Sequence, residues 1–195
     1  MWQLQAQSQG FYEIKGSKFL SFLTPSDEFL STLTSLKSLH PKAVHFVSAS
    51  RILQEGQVIE SFSDDGEPKG SSGVPTLNVL RGEGLVNVGA ISVRYFGGTL
   101  LGVGGLVRAY TQAIQSAIEN AKEQNLISAY EKLIEWEIEV SYSLLSQILY
   151  LTQKTQTKVL QRDFLSHSVK LILCANLASK EEFENLCASE AILLC

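Results

Sequence analysis

The chain has 195 residues, 45% of them apolar and 18% charged, with 16 Lys and Arg against 20 Asp and Glu for a formal net charge of −4. This length and composition suit one large domain or two small ones with a buried core, and exclude a disordered polypeptide. The mild acidity argues against coating nucleic acid by bulk charge, while leaving room for a local basic patch. The opening MWQLQAQSQGFYEIKGSKF has no basic region followed by an apolar stretch, and no apolar run approaches the ~20 residues of a spanning helix. A cytoplasmic protein without membrane segments is expected. The three cysteines, Cys174, Cys187 and Cys195, form no C-x-x-C pair, so reduced thiols are expected, with Cys174 in the core.

In chain order, Ser17 to Leu23 reads as a strand. Pro25-Ser26-Asp27 then opens a helix with Phe29, Leu30, Leu33 and Leu36 on one face. Ala43 to Leu53 and Val58 to Phe62 are strands joined by the turn Gln54-Glu55-Gly56-Gln57. Pro75 suits the first turn of a helix running to Leu80. Leu85 to Phe96 reads as one β-rich run with Phe96 in the core, and a long helix follows from Leu101 to Glu123. Beyond Ala129, Ile134, Trp136, Ile138 and Val140 alternate with glutamates as a half-exposed strand. Ser141 or Ser143 can cap the helix carrying Leu144, Leu145, Ile148 and Leu151. Strands at Thr157 to Phe164 and Val169 to Leu177 follow. Ser179 is expected to cap a helix from Lys180 to Ala188, and Ala191 to Leu194 to form a last strand. The tail thus reads β-α-β-β-α-β, a ferredoxin-like order. The reading is α+β with two domains, 1–128 and 129–195, their boundary falling near residues 125 to 131.

Eleven of the fourteen glycines lie within the forty residues from Gly66 to Gly105, and none follows. Candidate chemistry therefore concentrates in the middle of the chain. The string SFSDDGEPKGSSGVP brings Asp64, Asp65 and Glu67 together around Gly66, followed by Lys69. Such carboxylates suit a hard cation or a general base, and equally an acidic turn. The string VRYFGGTLLGVGGLVRAY passes from a strand through Gly97, Gly98, Gly102, Gly104 and Gly105 into a helix. Its backbone amides, with Arg94 and Arg108, suit an anion. It is neither a Walker loop nor a dinucleotide fingerprint, and tight strand-to-helix packing explains the glycines as well. Tyr95, Phe96 and Tyr110 could stack on a ring or fill the core. A lone strand histidine such as His45 reads as structural.

Taken together, His45, FSDDGEPKGSSGVP and VRYFGGTLLGVGGLVRAY strongly resemble the IMPACT/YigZ family, over residues 43 to 115, and the tail from residue 131 resembles the small C-terminal domain of its bacterial two-domain members. The sequence departs from common family usage at Phe46-Val47-Ser48 and at Ser71-Ser72. The resemblance implies a ribosomal protein S5 domain 2-like first domain and a ferredoxin-like second domain, both similar to domains of the translocase elongation factor G. Eukaryotic relatives regulate translation. The implied function is a non-enzymatic, translation-associated regulatory protein that binds RNA, the ribosome or a translation factor. Lys69, Arg94, Arg108 and the amides of the five glycines would meet phosphate. Asp64, Asp65 and Glu67 would order the neighbouring loop, with Asp64 and Asp65 as candidate magnesium contacts. No catalytic residue and no cofactor is assigned. Two alternatives stand beside this reading: a magnesium-using enzyme acting on small phosphorylated molecules, and a protein-docking module using the exposed edge of the second sheet.

Overall fold

The computed structural model describes residues 1–190, which fall into two units, Met1–Tyr130 and a second from Glu131 onward. The first unit contains, in chain order, β1 (Trp2–Leu4), β2 (Ser8–Ile14), β3 (Ser17–Pro25), α1 (Phe29–Leu39), β4 (His45–Gln54), β5 (Gln57–Ser63), α2 (Gly73–Gly82), β6 (Leu85–Val86), β7 (Val88–Tyr95), α3 (Gly102–Glu123) and β8 (Ile127–Ala129). The second contains β9 (Leu133–Ser141), α4 (Leu145–Lys154), β10 (Lys158–Phe164), β11 (Ser168–Asn176) and α5 (Leu177–Ser189). The expected strand from Ala191 to Leu194 lies outside the described residues. Among those described, no helix is long and apolar enough to cross a membrane.

A five-stranded antiparallel sheet in the order β2-β3-β7-β4-β5 organises the first unit. Two hairpins use two-residue loops, Lys15-Gly16 and Glu55-Gly56, with positive φ at both positions. That geometry matches the twist of the flanking strands. Central β7 is buried on both faces. Val88 and Ala90 pack with α2 and α3 residues in one cluster, while Ile91 and Val93 pack with Leu36 of α1 in another. Gly89 lets the Phe29 ring lie directly on the sheet, because a Cβ there would enter that ring. Along α3, Ala109, Ala113, Ala117 and Ala121 recur every four residues among the buried positions, beside Tyr110, Ile114 and Ile118. Small side chains let the helix sit close to β2, where the Cα of Gly10 abuts the Ala117 backbone. Each of the large apolar side chains buried there contributes about 1.5–3 kcal/mol.

Several expectations need correction. The single run from Leu85 to Phe96 is two strands, because Asn87 takes a φ of 52° and breaks the ladder. β6 pairs in parallel with β1, which pairs antiparallel with β8, in a small second sheet that the sequence did not announce. Leu30, expected on the apolar face of α1, is 72% exposed, since only the Phe29, Leu33 and Leu36 stripe meets the sheet.

In the second unit the sheet order is β10-β11-β9, antiparallel throughout. Ile138, Val140, Val169, Leu171 and Leu173 face Ile148 and Leu151 of α4 and Phe183 and Cys187 of α5. Alternation places Glu135, Glu137, Glu139 and Asp163 on the other face with Lys158 and Lys170. Lys170 Nζ pairs there with Glu137 at 2.7 Å. Asn176, not Ser179, caps α5: its Oδ1 accepts from the Ser179 N–H at 2.8 Å. The helix thus starts three residues early and takes Leu177 from the expected strand. Cys174 is buried, as expected.

Candidate functional site

The strand register builds the site. His45 on β4 and Phe19 on β3 both stand opposite Arg94 of β7, forming one cross-strand row. Tyr110 of α3 packs edge-on against Phe19, ring centroids 5.1 Å apart. Glu67, from the loop after β5, enters this row. Its Oε1 accepts from Arg94 Nη1 at 2.5 Å and from the Tyr110 hydroxyl at 2.7 Å. Both side chains of the ion pair are nearly inaccessible, 6% exposed for Arg94 and 3% for Glu67. The Arg94 guanidinium also lies over the rings of Phe19 and Phe96, at 5.5 and 5.8 Å. Burial, followed by the Glu67 carboxylate, pushes the Tyr110 phenol far above its ordinary range, so it serves as a donor. The loop that carries Glu67, residues 64–72 between β5 and α2, is equally constrained. Asp64 Oδ2 accepts from Gly70 N at 2.7 Å; its Oδ1 accepts from Ser72 N, Ser72 Oγ and Gly73 N at 3.2, 2.7 and 2.8 Å.

Asp64 therefore ties its loop to the start of α2. Burial would raise its carboxyl, but these four donors together hold it below the usual carboxylate range. Asp65 Oδ2 accepts from Phe46 N at 2.6 Å. The Asp65 carbonyl meets His45 Nδ1 at 2.7 Å. A carbonyl only accepts, so Nδ1 carries the proton and Nε2 is left facing the cleft. There, Nε2 stands 3.9 Å from Glu67 Oε2. Asp65 and Gly66 reach this turn with φ of 45° and 87°, and Gly66 lies beneath the imidazole.

Between this loop and the start of α3 lies a cavity of about 460 Å³, floored by His45, Glu67 and Arg94. Its walls are apolar, with Val44, Pro68, Phe96, Leu101, Val103 and Leu106. Several wall or rim side chains are open to solvent: Leu100 is 85% exposed, Val103 57% and Phe96 47%. Phe96 is thus a rim residue and not the core residue expected.

Of the residues singled out in the sequence, His45, Glu67, Arg94, Phe96 and Gly102 line this cavity; the others do not. Asp64, Asp65 and Gly66 hold its loop in shape. Lys69 and Arg108 are exposed, the latter on the outer side of α3. Both arginines are expected to meet phosphate, and neither is placed for it in this cavity: Arg94 points inward to Glu67 because its row faces α3, and Arg108 faces solvent away from the cavity. Tyr95 lies on the opposite sheet face, where its hydroxyl meets His40 Nδ1 at 2.8 Å. The glycines divide by role. Gly97 abuts the Gly16–Ser17 backbone and donates to Ser17 Oγ at 3.1 Å. Gly98 and Gly102 adopt φ of 84° and 69°, Gly105 lies under Leu101, and Gly104 faces open space.

These placements bear on the chemistry. Arg94 is neutralised by Glu67, so the cavity presents no free cation to a phosphate. Both oxygens of Asp64 and the Oδ2 of Asp65 already accept from protein donors, so these carboxylates shape the loop. Among the described residues no group of three His, Cys, Asp or Glu is arranged to hold a metal ion. Sequence reasoning named Glu67 and Arg94, read His45 as structural and Tyr110 as a stacking or core residue, and missed the apolar walls. The His45 signal was present in its resemblance motif, without anything local to show its partner.

An α+β protein with a small apolar cleft floored by a buried ion pair is the class these observations define. Residues 15–118 match the Impact N-terminal domain, and the chain belongs to the IMPACT family. It is 34% identical over 177 residues to an IMPACT family member of Haemophilus influenzae, covering 89% of this chain and 84% of that one. It is 34% identical over 157 residues to the IMPACT family member YigZ of Escherichia coli, covering 78% and 74%. A crystal structure described only as that of a hypothetical protein superposes with a TM-score of 0.73 at 29% identity, covering 100% of this chain and 94% of its own. The two-domain translational regulator Yih1, at 24% identity and a TM-score of 0.36, is too distant a likeness to bear on function.

Proposed function

We propose that this chain is a translation-associated regulatory protein whose first unit recognises a protein partner, a translation factor or a ribosomal protein, through the cleft between residues 64–73 and the start of α3. Family membership supports the translational setting. The observation that carries the mode of recognition is the cleft's composition: exposed Phe96, Leu100 and Val103 surround a floor whose one cation is already paired. Exposed apolar residues around a concavity mark docking sites for apolar groups, whereas phosphate recognition needs unpaired donors. An RNA partner has less to rest on. Arg94 is paired with Glu67 and its Nε, unpartnered among the described residues, is buried out of reach. One face of the second sheet carries four carboxylates against two lysines, which would repel a phosphate backbone. The domain reading belongs to the same proposal. The first unit is S5 domain 2-like, and the β-α-β-β-α order with the sheet order β10-β11-β9 supports a ferredoxin-like second domain, divided near residues 125 to 131.

The test is capture from cell lysate on immobilised wild type and Leu100→Asp, with and without nuclease. Leu100 is exposed enough that this change leaves the fold intact. A translation factor or ribosomal protein retained after nuclease and lost from Leu100→Asp is the expected result. Capture that disappears with nuclease would return the reading to RNA, and capture of nothing connected with translation would overturn it.

A further inference from the structure

The floor of the cleft holds an electrostatic arrangement that a partner of one particular chemistry completes. Glu67 Oε1 is fully engaged by Arg94 and Tyr110, whereas among the described residues no donor bonds Oε2. Facing it at 3.9 Å is His45 Nε2, whose neighbour Nδ1 is committed to the Asp65 carbonyl. With the imidazole neutral, Nε2 is an acceptor. Two acceptors thus confront each other across a gap too long for a hydrogen bond and short enough for one donor to reach both: an N or O atom about 2.9 Å from each fits between them. The Glu67 side chain is 3% exposed, so its free oxygen opens only towards the cleft. Covering that acceptor with an apolar group that brings no donor is costly, and a ligand that supplies the donor avoids the cost.

Charge narrows the ligand further. Glu67 and Arg94 cancel, so a cation would bring uncompensated charge into an apolar cavity, and an anion would meet two acceptors. An uncharged donor remains. The walls supply the rest: Phe96, Leu101, Val103 and Leu106 enclose about 460 Å³, within the range of sites that hold small apolar ligands. We propose that the cleft binds an uncharged aromatic group bearing one ring N–H or O–H, the side chain of a Trp or Tyr on the protein partner, with that hydrogen shared between Glu67 Oε2 and His45 Nε2. Such side chains are the anchors that protein interfaces use most, and both require a partner for their polar atom when buried. This inference rests on the docking function proposed above and supplies its anchor.

Small probes test it on the whole wild-type chain. Indole and indene have nearly the same shape, and only indole has an N–H. Binding is followed by NMR titration at pH 8, reading the resonances of His45, Phe96 and Val103. Indole is expected to shift these signals and to bind at least about tenfold more tightly than indene, the ratio that one well-made hydrogen bond of ~1.4 kcal/mol produces. His45→Ala, at a half-buried position, leaves Glu67 Oε2 as the remaining acceptor and should narrow the indole-to-indene ratio while indene binding is retained. Equal affinity of the two probes for the wild type would overturn the proposal, as would no binding of indole up to its solubility, or displacement of indole by inorganic phosphate. Failure here with nuclease-resistant capture intact removes the anchor and leaves docking standing. Indole binding with no translation-related capture removes the partner and leaves the site.

Discussion

Residues 64–73 and residues 97–105 face each other across the cleft, and they satisfy their polar groups in opposite ways. In the first segment Asp64 and Asp65 accept hydrogen bonds from five protein donors, and Glu67 Oε1 accepts from two more; among the described residues the buried Ser71 Oγ has no partner, and Glu67 Oε2 is left open to the cleft. In the second segment, backbone close to solvent carries no side chain at Gly98, Gly102 and Gly104, and Leu101, at the start of α3, makes no side-chain cap. A carboxylate-rich loop thus proves to be scaffold, while a glycine-rich one supplies an uncrowded wall. Motif chemistry alone suggested functional polar groups on both sides. Local hydrogen bonding decides which of them are still free to meet a partner.

The largest effect expected from this comparison is at Glu67. Glu67→Ala leaves Arg94 buried without its counter-charge and should cost about 3–5 kcal/mol in urea unfolding. A loss under about 1 kcal/mol would mean that the pair is not what holds the floor. Asp64→Ala strips acceptors from three backbone N–H groups near the start of α2 and should cost about 3 kcal/mol, mostly as unsatisfied donors. Circular dichroism during thermal melting would show it; an unchanged midpoint would contradict the scaffold role of this segment.

On the opposite wall, Gly97→Ala drives a methyl into the Gly16–Ser17 backbone and should destabilise by about 2–3 kcal/mol. Gly104→Ala should do the reverse. Its new methyl meets nothing, the φ is not positive, and helix propensity favours Ala by about 0.5–1 kcal/mol. If both glycine variants destabilise alike, the division of this segment into packed and bare positions is wrong. Arg108→Ala, on the exposed face of α3, should change stability by no more than about 0.5 kcal/mol.

Acid pH sharpens the same contrast. The Asp64 carboxyl is lowered, and that of Glu60 is lowered to about 2, chiefly by its hydrogen bond from Arg81. Groups lowered in the folded state contribute stability that is fully present above their unfolded values, near pH 4 to 4.5, and is lost as pH falls through the folded ones. Stability should therefore decline from about pH 4.5 towards pH 2. Asp64→Asn and Glu60→Gln should each flatten part of that decline in urea titrations, while Gly104→Ala leaves its slope unchanged.

Much of the fold was legible from residue order, because period-two and helical spacing, turn glycines and the βαββα sequence of the tail are local signals. The α+β class, the long α3 helix and the position of most elements could be read that way, and the three central motifs sufficed for the family resemblance. Short strands escaped: β1 and β6 have too few residues to show a period, and their pairing joins segments more than eighty residues apart. The site was legible as a list of residues and not as a chemistry. Only the β4–β7 register sets His45 beside Arg94, and only the loop's internal hydrogen bonds carry Glu67 inward to meet both. Side-chain direction depends on which sheet face the helix covers, and so Arg94 turns in, Tyr95 turns to the far side and Arg108 points out. Composition and spacing determined that the middle of the chain would hold the cleft. Long-range packing decided which of its charges would be left free, because burial pairs a charge with whatever partner tertiary contact brings within hydrogen-bond reach.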